Sequence, residues 1–130
     1  MAKYLFKNAA THLPEYCRPT GEILSMLGDK WSVAILGNLA NGRVRFSQLE
    51  GRIEGISQRM LTLTLRSLER DGLVERIVTP TVPARVEYEL SERGKGLREP
   101  LFLLHAWATE NLPGIEQSRR EFDAEEKQGV

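Results

Sequence analysis

Between Ser57 and Arg76 the sequence reads SQRMLTLTLRSLERDGLVER, and its polar side chains are of the kinds that grip base edges and phosphate. At helical spacing Arg59, Leu63, Arg66 and Arg70 fall on one face, flanked by Gln58 and Thr62. Leu61, Leu65 and Leu68, with Thr64 beside them, fall on the opposite face. A guanidinium presents a planar fork of donors that fits guanine or phosphate. A glutamine amide fits adenine in the same two-bonded way, and a leucine can meet a thymine methyl. The competing reading is a core helix with a solvated arginine face, and the surrounding chain has to decide between them.

The second reactive position is Cys17, the single cysteine, which excludes an internal disulfide. Arg18 beside it favours the thiolate, so Cys17 is a candidate reactive thiol. Such a thiol reacts only by bridging to another molecule or by taking up a small adduct. The alternative is a small buried apolar residue. His12 and His105 are far apart and lack acidic or cysteine partners at ligand spacing, so no metal and no cofactor is expected. No base stands at recognisable spacing from Cys17 and no glycine-rich phosphate loop is present, which argues against an enzyme.

The elements that must position these groups follow in order. Residues 1–16 read as an N-terminal arm without periodicity. A first helix is expected over about 20–27, with Ile23, Leu24 and Leu27 as its stripe, and Gly28 ends it. Asp29 caps a second helix over about 30–41, inside which Gly37 is expected at a close helix–helix contact. Arg43-Val44-Arg45 is long enough for one edge strand. A third helix runs from Phe46 to about Ile53. Ser57 is an N-cap for the fourth helix, and Asp71-Gly72 closes it. Residues 73–78 and 85–90 alternate as strands around a turn stiffened by Pro80 and Pro83, giving a hairpin whose turn region is 79–85. Ser91 is expected to cap a long last helix over about 91–111, kinked or reset at Pro100 and stopped by Pro113-Gly114. Its positions Leu97, Leu101, Leu104, Ala108 and Leu112, with Phe102, Leu103 and Trp107 as a second flank, are too much apolar surface for a helix covered on one side. They call for a partner helix. Residues 17–114 thus form one domain, and 115–130 a charged, frayed tail. The fold class is α+β, mainly α: a winged helix-turn-helix with a long C-terminal dimerisation helix.

Composition sets the bounds. The 130 residues carry 18 bases and 18 acids, but seven arginines against five acids lie between Arg43 and Arg76. Five acids against three bases lie after residue 115, so the tail offsets the middle. No apolar run nears the roughly 20 residues of a membrane span, and no signal-peptide core is evident, so a cytoplasmic protein without membrane partners is expected.

The motifs in series permit a closer reading. They are Cys17, Gly28-Asp29-Lys30-Trp31, Arg45-Phe46-Ser47-Gln48-Leu49 and Gly55-Ile56-Ser57 with Leu61-Thr62. Leu65 to Val74 follows, then Pro83, Val86-Glu87-Tyr88, Gly94 and Trp107. The chain resembles the HxlR-type family of bacterial winged-helix transcriptional regulators, within the MarR-like superfamily. It departs from that pattern at Asp29, where a second glycine is usual, at Arg18 after the cysteine, and at Leu63, where a polar residue is usual. The resemblance implies a homodimer built through the first and last helices, with Ile23, Leu97, Leu101, Leu104, Trp107 and Ala108 at the interface. It implies an inverted-repeat operator in double-stranded DNA and, in some members, an oxidant-sensing cysteine. Base edges then fall to Gln58, Arg59, Thr62, Leu63 and Arg66, and phosphates to Arg43, Arg45, Ser47, Gln48, Ser57 and Arg70. Arg85 reaches backbone or minor groove, while Arg76 supports the wing. A small-molecule or oxidant effector is a further partner. A pocket lined by Tyr88, Phe102 and Trp107 is one place for it, although ordinary core is the favoured reading of those three. The competing function is a winged helix that contacts an acidic protein and has no sequence-specific DNA binding.

Overall fold

A computed structural model describes residues 18–129. Cys17 and His12 therefore lie outside the described residues, as does the expected arm. The elements are α1 (residues 18–27), α2 (Lys30–Leu39), β1 (Val44–Arg45), α3 (Phe46–Arg52) and α4 (Gln58–Arg70). They continue with β2 (Val74–Thr79), β3 (Arg85–Leu90), α5 (Glu92–Lys95) and α6 (Arg98–Gly129). This is the expected winged helix-turn-helix, mainly helical with a small antiparallel sheet.

Local chemistry accounts for the joints. The Asp29 carboxylate caps α2, accepting from the Ser32 amide at 2.8 Å and from the Ser32 hydroxyl at 2.9 Å, which lets Ser32 be buried. The sheet order is β1-β3-β2, with Val44 opposite Tyr88 and Arg76 opposite Tyr88 on the other side. Val44 of β1, Tyr88 and Leu90 of β3, and Val74 at the start of β2 turn inward to the helices. One core joins Ile35, Leu36 and Leu39 of α2, Leu49 of α3, and Leu61, Leu65 and Leu68 of α4 with Val74, Tyr88 and Leu90 of the sheet.

The C-terminal third differs from the sequence reading. Ser91 caps only the short α5, and the chain breaks at Gly96-Leu97 before α6 begins. Pro100 does reset the helix: it is the third residue of α6, a position whose N–H has no intrahelical partner in any case. Pro113-Gly114 does not stop it. The helix passes through both and includes residues 115–129, expected as a frayed tail. Proline at an interior position removes one hydrogen bond and costs about 3 kcal/mol. The good helix formers that follow, rich in Glu, Arg and Gln, carry the helix past that cost. Gly37 also differs. A Cβ there would meet nothing within 4 Å, so it marks an opening rather than a close helix contact.

Candidate nucleic-acid interface

Helix α4 is held at both ends and underneath. Ser57 Oγ accepts from the Met60 amide at 3.0 Å, the expected cap. At the other end Gly72 takes a φ of +76°, a left-handed conformation that an L side chain resists. Its amide donates to Glu69 O, and the Leu73 amide donates to Leu68 O, each at 3.0 Å. This paired closure satisfies carbonyls the helix would otherwise leave bare. The Ser91 hydroxyl then donates to Gly72 O at 2.6 Å while accepting from the Gly94 amide at 3.0 Å. Gly94 itself lies so close to the Leu73 carbonyl that no Cβ fits there. Leu61, Leu65 and Leu68 seal the underside.

The outward face carries Gln58, Arg59, Thr62, Leu63, Arg66 and Arg70, all exposed. Leu63 is 51% exposed, and Met60, which the sequence reading left out, is 39% exposed beside it. Met60 and Leu63 are three residues apart, so helical spacing could have found this apolar spot among the cations. The Thr62 hydroxyl donates to Gln58 O at 2.9 Å and keeps its acceptor lone pairs outward. Among the described residues no acidic side chain pairs with Arg59, Arg66 or Arg70.

Beside this face the hairpin encloses a groove of about 720 Å³ with the start of α3. Arg45, Ser47, Thr62, Arg76 and Arg85 line it, together with the turn residues Thr81 to Ala84. Three arginines therefore line one trough, none paired with a carboxylate among the described residues. Such a trough suits a polyanionic strand. Arg76 had been read only as a wing support. The signal for it was present: Val74, Arg76 and Val78 share a face of β2, and an arginine in that series is out of place unless the face opens to solvent.

Other expected contacts sit apart from the groove. Arg43 lies on another side and pairs with Glu89 at 3.3 Å. Gln48 spends its side-chain oxygen on the Arg45 amide at 3.2 Å, bracing α3. Ser57 and Arg70 lie at opposite ends of α4.

Tyr88, Phe102 and Trp107 do not share a pocket, and only Tyr88 belongs to the core. Tyr88 is buried in the sheet, whereas Phe102 and Trp107 are 67% and 57% exposed on α6. A different cleft, of about 340 Å³, opens between α2 and α6 beside Gly37, with Phe102 and His105 on its wall. Of the interface candidates, Ile23, Leu104 and Trp107 are exposed and Leu97, Leu101 and Ala108 half-buried. Among the described residues there is no cluster of three or more potential metal ligands, and no helix long and apolar enough to cross a membrane.

A capped helix with a cationic outer face, a preceding helix and turn, and a two-stranded wing define a winged helix-turn-helix regulator. The HxlR-like helix-turn-helix family model matches residues 26–116. The chain belongs to that family. It is 45% identical over 89 residues to the HTH-type transcriptional regulator YtcD of Bacillus subtilis, covering 68% of this chain and 71% of that one. To YtfH of Escherichia coli it is 41% identical over 101 residues, 78% and 79% of the two chains. Among solved structures, the redox regulator HypR in its reduced form superposes with a TM-score of 0.72 at 36% identity, covering 76% of this chain and 98% of that one. The reduced form of the transcriptional regulator YodB from B. subtilis gives 0.65 at 37% identity, covering 71% and 90%. These relatives and this fold are those of transcriptional regulators, not of enzymes.

Proposed function

We propose that two copies of the chain bind an inverted-repeat operator in double-stranded DNA, each laying α4 in a major groove. The observation that carries this reading is the arginine face of α4, which no carboxylate pairs among the described residues, standing beside the Arg45–Arg76–Arg85 groove. Gln58, Arg59, Thr62, Leu63 and Arg66 read base edges. Arg45, Ser47, Arg76 and Arg85 hold the phosphate strand that passes between wing and α3, and Arg70 and Ser57 sit on backbone at the two ends of α4. Arg43 and Gln48 contribute through the scaffold, since one is ion-paired and the other braces α3. The dimer forms through the apolar faces of α1 and α6, in the cytoplasm.

Selection of bound fragments from genomic DNA, followed by titration of the selected and a scrambled duplex at several salt concentrations, tests the reading. A steep loss of affinity with salt and a preference for the selected site are expected. Equal binding to both duplexes would favour a module that meets an acidic protein partner.

A thiol response through Cys17 is the second part of the proposal. It is supported by the likeness to HypR and YodB, solved in reduced and in oxidised or diamide-treated forms. Cys17→Ser then keeps operator affinity and loses its change on oxidant treatment. Loss of affinity without oxidant would assign Cys17 to packing.

A further inference from the structure

Resting on the reading of α4 as the base-reading helix, we infer that Met60 and Leu63 together select a pair of neighbouring C5-methylated pyrimidines. In each half-site these are thymines of two adjacent A·T pairs, met on the side of the helix turned away from the wing.

The outer face of α4 is divided. At about 100° per residue, Thr62 lies about 60° to one side of Arg59, and it lines the trough between wing and α3. Leu63 lies about 40° to the other side and Met60 about 100°. Arg66 and Arg70 stay within about 20° of the line of Arg59. The cations thus follow the crest of the helix, and an apolar spot occupies the flank away from the trough. Leu63 there is 51% exposed and Met60 39%. Ser67, also exposed, is their neighbour further along that flank. Glu69, the acid of α4, falls on the Thr62 side. Met60 is held in place at its backbone: its amide donates to Ser57 Oγ at 3.0 Å, and its carbonyl accepts from the Thr64 hydroxyl at 2.8 Å. Met60 and Leu63 are three residues apart, so their side chains are neighbours on the helix surface. Along the axis they are separated by about 4.5 Å. A base step is about 3.4 Å, so the pair spans two neighbouring bases.

The chemistry of the groove decides which bases. Major-groove edges present donors and acceptors, and the C5 methyl of thymine is the apolar group among them. Leucine has no hydrogen-bonding group, and the methionine sulfur accepts only weakly. Pressed against a purine edge, the two side chains would strip water from its polar atoms and return no bond, which is a penalty. Against a thymine methyl they bury apolar surface on both partners. Two side chains make a spot well below the several hundred Å² of an apolar protein-docking patch, so a pair of methyl groups is the occupant that fits. Cytosine lacks the methyl, and cytosine methylated at C5 carries it in the same place. Methylation of a cytosine at this step therefore raises affinity.

The test uses the full chain and the operator duplex recovered by genomic selection, with each thymine replaced in turn by deoxyuridine. The exchange removes one methyl and leaves every hydrogen-bonding group of the base in place. Two neighbouring positions per half-site should each lose about fourfold in affinity, the worth of one buried carbon group, and the remaining thymines should lose nothing. Leu63→Ala should bind thymine and uracil alike at one of the two positions, and Met60→Ala at the other. Both variants should keep the preference that Arg59 supplies. Cytosine at either position should bind more weakly than 5-methylcytosine by a similar factor. Uracil without effect at every position would overturn the inference, while a loss of affinity in Arg59→Ala would still uphold α4 as the reading helix. A uracil effect that survives in both alanine variants would overturn it too, because DNA shape or another residue would then sense the methyl. Equal binding of the parent chain to operator and scrambled duplexes would remove both the inference and the reading beneath it.

Discussion

Replacing Arg59 by alanine separates base reading from the electrostatic background. Arg59 is the second residue of α4, is exposed, and has no ion-pair partner among the described residues. Removing it leaves no buried group unpaired, so folding stability should move by less than about 0.5 kcal/mol. Any affinity change is then a change at the interface. A guanidinium with two bonds to guanine contributes about 1–3 kcal/mol, or roughly 5- to 150-fold, per half-site, and close to twice that free energy on a two-site operator. Arg76→Ala is the control with the opposite signature. Its place in the phosphate trough predicts weaker binding to every sequence. The log–log salt slope should become shallower by about one per subunit. Fluorescence anisotropy with operator and scrambled duplexes across a salt series reads both effects. Operator affinity unaltered in Arg59→Ala would mean that α4 is assigned to the wrong surface. An unaltered salt slope in Arg76→Ala would take the trough out of the interface.

The scaffold makes further predictions. Leu65→Ala, under the reading helix and fully buried, should destabilise by about 2–5 kcal/mol in urea denaturation; a cost under 1 kcal/mol would mean that the helix is loosely seated. Ser91→Ala removes both the cap of α5 and the donor to Gly72 O, and should cost about 1–2 kcal/mol in the same assay, with Ser91→Thr recovering most of it. Gly37→Ala should raise the melting temperature, because the added methyl meets open space and alanine favours the helix by up to about 1 kcal/mol. A lower value would show that something packs onto that position.

The fold was legible wherever a local rule decided the outcome. Ser57, Asp29 and Gly72 mark helix ends because capping is settled by a few neighbouring atoms, and the alternation of 73–78 and 85–90 gives the hairpin to within one residue of its observed strands. The end of the last helix was not legible because proline acts by context. Pro100 falls in a first turn, where a missing N–H is harmless and a helix can begin, as expected. Pro113 falls in an interior, where the surrounding helix formers carry the helix through it, and that outcome does not follow from the residue type alone. The outer face of α4 was readable from spacing, but the trough was not, since it needs the distance between hairpin and α3. That distance brought Arg76 in beside Arg45 and Arg85, and left Arg43 with Glu89 instead.

The way α4 is fastened constrains how any signal could alter DNA binding. Its start is capped by Ser57, and its end is locked by Gly72 and tied by Ser91 to α5. Gly94 sits hard against the Leu73 carbonyl, so α5 cannot shift without moving the base of β2 and the wing. Helix α4, the base of the hairpin and α5 are thus packed as one unit. The joint to α6 follows at Gly96-Leu97, where the Leu97 amide donates to Gly94 O at 3.0 Å and the Leu97 side chain packs against the core. On the proposed two-copy reading, a change at α1 or α6 would then reach DNA as a change in the separation or tilt of two such units, altering the fit to a two-site operator more than the affinity for one half-site.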